Sequence, residues 1–314
     1  MYHPYFRGKQ FELLCVREMA PIFKEARFCP IIEPVRDTLG GLNRALDAVV
    51  EVDGRAVVIV NPHHGDLADS GAPLSELLKH KYLDLPGVSA GILLKQNMST
   101  SDALQCYREH ESHSPVLIHV GFGEAKKLAE RLGKQSKEHC HVFLDRYCGK
   151  LYQKHFSGAR RVLLKDGFER KRNRDYDLLE PFSDLHATFE DEGMNGFGDF
   201  LIVGDDYREN GGPAYAVAIH LTFIDPDKDD SMWIYHFVSE RQDTPTDPAG
   251  KFAEALEKMM RVLDRRNSKI VETSAVKEFR GLHKQGHFPG LGYVKKLSMN
   301  HHIETLADYF EKTA

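Results

Sequence analysis

The chain has 314 residues, of which 41% are hydrophobic and 28% are charged, and its formal net charge at pH 7 is −5. This composition is that of a globular protein and excludes a disordered chain, which would carry less apolar material. The slightly acidic balance argues against a protein that coats nucleic acid through its overall charge, but it does not exclude a local basic patch.

Short apolar runs, most of them followed by a helical segment, recur along the first two thirds of the chain. The runs are apolar throughout rather than alternating, which is typical of strands that are buried on both faces of a parallel sheet. They predict eight strands, at residues 2–6, 29–35, 56–60, 89–94, 115–120, 141–144, 161–164 and 199–203. The strand starts lie roughly 20 to 40 residues apart, which is the spacing of successive βα units.

Beyond residue 166 the regular succession of apolar runs and helical segments ends. Residues 215–223 and 232–238 flank an acidic turn at 225–230, and this pattern predicts a long antiparallel hairpin. Apolar residues at helical spacing then predict a helix over 252–263, which we interpret as the eighth outer helix. A final helix is predicted to be capped by Ser298.

These elements predict a TIM-like (β/α)₈ barrel with a hairpin elaboration after strand 8 and C-terminal helices. We expect a single domain over residues 1–314, with the barrel strands in 1–210 and the hairpin, the outer helix and a C-terminal closure in 211–314. A doubly wound open sheet is the alternative, because the order of elements alone does not show whether a sheet closes.

In a parallel α/β sheet the reactive groups gather at the carboxyl ends of the strands. The candidate catalytic residues at these ends are Glu33, His119, Asp145 and Lys165. The candidate substrate-binding residues are Arg7, Lys9, Arg36, Asn61, His63 and Lys95.

Glu33 and His119 stand out because each interrupts an apolar run. A buried carboxylate needs a cationic partner, so we expect Glu33 to pair with Arg36, Lys95 or Lys165. The alternative for both residues is a structural role, as one half of an ion pair or as a hydrogen-bonded core histidine.

Two chemistries fit the strand-end residues. In the first, Arg7, Arg36, Lys95 and Lys165 hold a phosphate-bearing anion while Glu33, His119 or Asp145 moves a proton. In the second, a hydrolytic metal is bound by Glu33, His63, His119 and Asp145. We prefer the first, because cations outnumber the metal-binding residues. The sequence has no dinucleotide-binding glycine motif after an early strand and no Walker loop, so it identifies no cofactor.

Two further clusters are charged or histidine-rich. Seven positive charges lie between Arg160 and Arg174, and such a stretch can contact a nucleic-acid backbone, although a solvated loop is the preferred interpretation. The histidines of the tail, including His301 and His302, match no zinc module in their spacing.

The cysteines and the first residues bear on location. Five cysteines without a C-x-x-C pair indicate a reduced compartment. The N-terminus has no apolar signal segment, and no apolar run approaches the roughly 18 residues that span a bilayer. We therefore expect a soluble, cytoplasmic protein.

Three stretches together resemble the beta protein family of phages and bacteria. They are the opening MYHPYFRGKQFE with Arg17-Glu18, the strand PIIEPV at 30–35, and the tail FPGLG at 288–292 with KKLS at 295–298 and His301-His302. The resemblance implies a barrel-type α/β fold and a link to phage exclusion and defence loci, without implying a reaction. It marks Arg7, Lys9, Glu12, Glu33 and the His301-His302 pair.

Together these observations predict an antiviral defence protein that acts as an enzyme, a hydrolase or phosphoester-cleaving enzyme, on an anionic substrate at the strand ends. The alternative is a non-catalytic binding or scaffold subunit that regulates a partner nuclease from the same locus.

Overall fold

The computed structural model describes residues 1–83, 85–209 and 211–313. The strands are β1 Tyr5–Phe6, β2 Ile31–Ile32, β3 Ala56–Ile59, β4 Val88–Lys95, β5 Val116–Val120, β6 Cys140–Leu144, β7 Arg160–Leu164, β8 Leu179–Ser183, β9 Gly196–Gly198, β10 Ala218–Asp225 and β11 Ser231–Val238. The α-helices are α1 Gln10–Glu25, α2 Gly40–Glu51, α3 Ala72–Leu77, α4 Thr100–Glu109, α5 Ala125–Leu132, α6 Lys150–Gln153, α7 Leu185–Thr188, α8 Pro248–Leu263, α9 Ser274–Gln285 and α10 Leu291–Thr313. Among the described helices, none combines the length and the hydropathy that crossing a bilayer requires.

The backbone divides into two compact units. The first contains residues 1–165 and 188–199, and the second contains residues 166–187 and the chain from residue 200 onward. The barrel strands and the hairpin therefore belong to different units.

The first unit is a ring of eight parallel strands in the order β1-β2-β3-β4-β5-β6-β7-β9. The ring closes where Tyr2 pairs with Phe197, next to a hydrogen bond of 2.8 Å from the His3 N–H to the Phe197 carbonyl. A second backbone bond of 2.9 Å joins the Tyr5 N–H to the Asp199 carbonyl. The predicted (β/α)₈ barrel is confirmed, and the alternative of an open sheet is wrong.

The eighth barrel strand lies before the predicted segment. It is Gly196–Gly198, whereas residues 199–203 leave the sheet in a turn. A Cβ atom on Gly198 would lie 2.2 Å from the His3 carbonyl oxygen, and one on Gly196 would lie 2.5 Å from that of Met1. The last strand approaches the first so closely that only glycine fits, and this requirement overrides the apolar pattern of 199–203.

The barrel strands have one face toward the interior and one toward the helices. Residues paired in a parallel register share a face, which places Tyr5, Ile31 and Val57 together and Lys95 with Val120. Ser89, which pairs with Val57, is on the same side of β4 as Lys95. On the opposite face, His119 contacts Tyr152 of α6, so the face of Val57 and Lys95 is the barrel interior. The other face packs against the helices.

The second unit contains an antiparallel sheet in the order β10-β11-β8. The predicted hairpin is confirmed in the form of β10 and β11, and β8 is a third strand that the sequence did not indicate. The helix predicted over 252–263 is α8, which packs on the hairpin through a core that includes Leu221, Phe237, Phe252, Leu256 and Phe279.

The last helix begins earlier than predicted, at Leu291, so Ser298 lies within it and is buried rather than capping it. Its two adjacent histidines, His301 and His302, are fully buried and form hydrogen bonds with the hairpin. His301 bonds through Nε2 to the Thr222 carbonyl at 2.8 Å and through Nδ1 to the Thr273 hydroxyl at 2.9 Å. His302 Nδ1 lies 3.0 Å from the Thr222 hydroxyl. The pair thus has a structural role.

Candidate functional site

Glu33, which follows β2, is fully buried and accepts hydrogen bonds at both carboxylate oxygens. The backbone N–H groups of His63 and His64 donate to Oε1 at 2.8 and 3.2 Å. The Tyr5 hydroxyl donates to Oε2 at 2.8 Å, and the Arg7 guanidinium forms an ion pair with the same oxygen. Glu33 therefore links the end of β1 to the loop that follows β3.

The surroundings of Glu33 keep it ionised. Burial by itself would raise the pKa of the carboxyl group, but the Arg7 charge and the bonds from His63 and Tyr5 lower the pKa below its ordinary value of 4.5. A carboxylate held in this way is a poor proton carrier. We therefore assign Glu33 a positioning role instead of the proton transfer expected from the sequence.

The cationic partner of Glu33 is Arg7, and the expectation of Arg36, Lys95 or Lys165 is wrong. Arg7 is 8% exposed, its guanidinium lies 4.9 Å from the centre of the Tyr5 ring, and its backbone N–H donates to the Glu12 carboxylate at 2.6 Å. It follows β1, the strand paired with β2, and therefore reaches Glu33 directly. The side chain of Arg36 is 44% exposed and faces Asp66 at 3.7 Å.

Lys95, the last residue of β4, lies on the interior side of the barrel. Its ammonium donates to the Pro62 carbonyl at 2.8 Å. Burial lowers its pKa, and the Glu33 charge opposes that shift only in part. The Asn61 amide bonds to both backbone groups of Leu93, at 2.8 and 2.9 Å, so it joins β3 to β4.

The conformation of the loop after β3 requires a glycine at position 65. This residue has a φ of +77°, and a Cβ atom there would lie 2.0 Å from the Val35 carbonyl oxygen. The tight approach holds the N–H groups of His63 and His64 against Glu33. The His63 ring itself is exposed and lies 4.7 Å from the His64 ring.

A pocket of about 300 Å³ opens between α1 and α2, next to this cluster. Gly8 and Pro34, the residues that follow Arg7 and Glu33, form part of its wall. Four leucines and three arginines also line it, namely Leu13, Leu14, Leu39, Leu42, Arg17, Arg36 and Arg44. None of the described residues that line this pocket is acidic.

Arg17 and Arg44 have exposed side chains and, within the described residues, form no ion pair. Helix α2 begins at the same pocket with no side-chain cap and no acidic residue in its first turn. Because the start of a helix carries partial positive charge, it adds to the field of the arginines. The pocket, which we call the arginine pocket, therefore combines an apolar floor with a cationic rim.

His119 lies on the opposite face of the barrel wall from Lys95. Its Nδ1 is 2.7 Å from the Tyr152 hydroxyl and its Nε2 is 2.9 Å from His141 Nδ1. Burial, with a smaller contribution from His141, holds the pKa of His119 well below its ordinary value of 6.5. His119 is thus a neutral histidine between strand and helix, and the structure does not bring it to Glu33.

The other candidates are more exposed than Glu33. Asp145 and Lys165 follow β6 and β7 with exposed side chains, and Lys9 precedes α1 and is partly exposed. The described residues contain no group of three His, Cys, Asp or Glu side chains arranged to hold a metal ion. The metal alternative, which needed Glu33, His63, His119 and Asp145 together, gains no support.

The basic stretch between Arg160 and Arg174 is divided between the two units. In its second half Lys171 pairs with Glu180 at 3.0 Å and Arg172 pairs with Asp175 at 2.6 Å. Such pairing reduces the positive field that a nucleic-acid backbone would meet. Binding of nucleic acid stays a prediction.

Three residues of this region, Tyr5, Arg17 and Arg44, were not among the candidates predicted from the sequence. Tyr5 could have been identified, because it is two residues from Arg7 and therefore on the same face of a strand. No sequence signal distinguishes Arg17 and Arg44 from other arginines on exposed helix faces.

The chain matches no protein-family model, no curated protein and no solved structure. The resemblance to the beta protein family therefore stays a prediction.

Proposed function

We propose that this protein is an enzyme that binds a phosphate-bearing or similarly anionic substrate in the arginine pocket, at the carboxyl edge of its barrel. The observation that carries the proposal is the pocket itself, whose described lining residues place three guanidinium groups and no acidic side chain around an apolar floor. A guanidinium group offers paired N–H donors that match the oxygens of a phosphate or a carboxylate.

The two parts of the pocket select different parts of the substrate. Arg17, Arg36 and Arg44 attract the anionic group, and the leucine floor favours an apolar substituent next to it. A volume of about 300 Å³ suits a small organic phosphate rather than a macromolecule.

In the hydrolysis of a phosphate ester, water attacks the phosphorus as the alcohol leaves, and the arginine side chains of the pocket stabilise the charge on the phosphoryl oxygens. Lys95 donates to the Pro62 carbonyl on the interior side of the barrel and is not among the described residues that line the pocket. Glu33 acts through Arg7 and the loop after β3, which it holds in place.

The defence setting is part of the proposal and is supported by the family resemblance. A non-catalytic subunit that regulates a nuclease is the alternative. It predicts binding without turnover.

Binding can be tested by isothermal titration calorimetry with phenyl phosphate and with inorganic phosphate. We expect phenyl phosphate to bind more tightly, because it also buries its ring. A charged hydrogen bond contributes about 1.5–3 kcal/mol, so we expect Arg17→Gln and Arg44→Gln each to weaken binding by roughly tenfold or more. Arg131→Gln, on the exposed face of α5, is the matched control. Equal affinity in all variants would refute the pocket assignment.

Catalysis can be tested with p-nitrophenyl phosphate and bis-p-nitrophenyl phosphate. We expect turnover by the unaltered protein and its loss in Arg17→Gln/Arg44→Gln. Binding without turnover in the unaltered protein, on a wider panel of phosphate esters as well, would favour the non-catalytic alternative. In plating assays, cells that carry the unaltered protein should resist phage and cells that carry Arg17→Gln/Arg44→Gln should not. Equal plating efficiency would argue against the defence setting.

A further inference from the structure

A second site lies in the other unit, on one face of its antiparallel sheet. His220 of β10 and His236 of β11 are paired in register, and their Nδ1 atoms are 2.7 Å apart. The Tyr176 ring stacks on His236 at 4.3 Å with an interplanar angle of 16°. His236 is 2% exposed, and its Nε2 atom has no hydrogen-bond partner among the described residues.

His236 lines a pocket of about 340 Å³, which we call the histidine pocket. Glu180 also lines it and accepts bonds from the Lys171 ammonium at 3.0 Å to each oxygen and from the Asp177 N–H at 3.0 Å. Glu180 Oε2 is 3.7 Å from His236 Nε2, too far for a direct hydrogen bond. The pocket is therefore lined by three carboxylates, those of Glu169, Asp177 and Glu180, and by one ammonium group, that of Lys171.

We propose that the histidine pocket binds a hydrogen-bond-donating organic cation, an ammonium or guanidinium group, which bridges Glu180 Oε2 and His236 Nε2 from the pocket side. The carboxylate only accepts hydrogen bonds, so the ligand must donate there. The excess of carboxylates favours a positive ligand and repels an anion. A donor nitrogen at this position would also satisfy the buried Nε2 atom, which otherwise costs free energy.

The contact between His220 and His236 allows His236 to accept a hydrogen bond from such a ligand. Because the two Nδ1 atoms face each other, one of them carries the proton between them. When His236 carries it, its Nε2 lone pair points toward the pocket and accepts from the ligand. Burial lowers the pKa of His236 to about 4, so the ring is neutral at physiological pH and does not repel a cation.

The test is nuclear magnetic resonance of the histidine ring nitrogens in the full chain, with His236→Phe used to assign the signal. Putrescine provides the ammonium group, agmatine provides both cations, and tetramethylammonium provides charge without an N–H donor. We expect millimolar putrescine or agmatine to shift the His236 Nε2 signal and tetramethylammonium to leave it unchanged. An equal shift with tetramethylammonium, or a shift with inorganic phosphate only, would overturn the proposal.

Two variants make the test independent of folding defects. Asp177→Asn removes an exposed carboxylate of the pocket, and we expect it to weaken binding roughly two- to fivefold. Glu180→Gln should abolish the shift. Asp243→Asn, an exposed carboxylate outside the pocket, is the matched control and should bind as the unaltered protein does. The proposal is wrong if Asp177→Asn and Asp243→Asn bind equally, or if folded protein shows no shift with either amine.

Discussion

Replacing Glu33 by Gln tests whether this residue organises the barrel edge. The substitution keeps the size of the side chain but removes its charge, and it places an NH₂ group where one carboxylate oxygen accepted hydrogen bonds. In either orientation of the amide, that group faces donors, which are Tyr5 and Arg7 on one side and the N–H groups of His63 and His64 on the other. Arg7, almost completely buried, is left without a countercharge from Glu33.

The expected cost follows from this geometry. Removing one partner of a buried ion pair destabilises a protein by about 3–5 kcal/mol, because the remaining charge stays buried. For a cooperative unit of 150–250 residues, 1 kcal/mol shifts the melting temperature by about 2–4 °C. We therefore expect Glu33→Gln to lower the melting temperature by roughly 6–20 °C.

The assays are thermal unfolding, which gives the melting temperature, and urea unfolding, which gives the free energy, both followed by circular dichroism with exposed Glu130→Gln of α5 as the control. Adding Arg7→Met to Glu33→Gln removes the buried cation, so we expect the double variant to be more stable than Glu33→Gln alone. Because Glu33 has a lowered pKa in the folded state, its stabilisation is full above its ordinary pKa of 4.5 and is lost as the pH falls through the lowered value. A loss below 1 kcal/mol at pH 7, or a double variant less stable than the single one, would refute the reasoning.

Three further predictions concern stability. Gly65→Ala forces a Cβ atom against the Val35 carbonyl at positive φ, and we expect the free energy of unfolding in urea to fall by about 1–3 kcal/mol. Gly123→Ala is the control and should cost far less, because a Cβ atom there meets no described atom within 4 Å. His119→Phe leaves the Tyr152 hydroxyl without its hydrogen-bond partner on the ring, so the free energy of unfolding should fall by about 1–3 kcal/mol. The affinity for phenyl phosphate should not change, and a reduced affinity would contradict our placement of this residue. Burial lowers the pKa of His301 to about 4, so this residue alone should contribute a loss of stability of about 1.4 kcal/mol per pH unit on acidification from pH 6.5 toward 4. The slope measured for His301→Gln should be shallower by about that amount.

The type and order of most elements could be predicted from the sequence. Runs such as residues 115–120 and 141–144 are apolar throughout, which is a local property that indicates a buried parallel strand wherever it falls. The hairpin was predicted for a similar reason, because two apolar stretches flank an acidic turn. The eighth strand was predicted at residues 199–203 instead of at Gly196–Gly198, since the glycines of this strand are explained only by how closely β9 approaches Met1 and His3.

The candidate site was predicted less well. Glu33 was identified because a carboxylate inside an apolar run needs a partner, and the structure supplies one. The partner itself was missed, and His119, chosen by the same argument, lies on the other face of the barrel wall. In a strand, successive side chains point to opposite faces, so a difference of one residue in register decides between the interior and the helix layer.

By itself, then, the sequence determined a repeating βα barrel followed by a hairpin, because hydrophobic periodicity is set by neighbouring residues. Only the tertiary structure decided which charged groups meet. The contacts of Arg7 with Glu33 and of His220 with His236 join segments whose pairing depends on sheet register, and the arginine pocket depends on how two helices pack. Spacing along the chain contains no information about such distances.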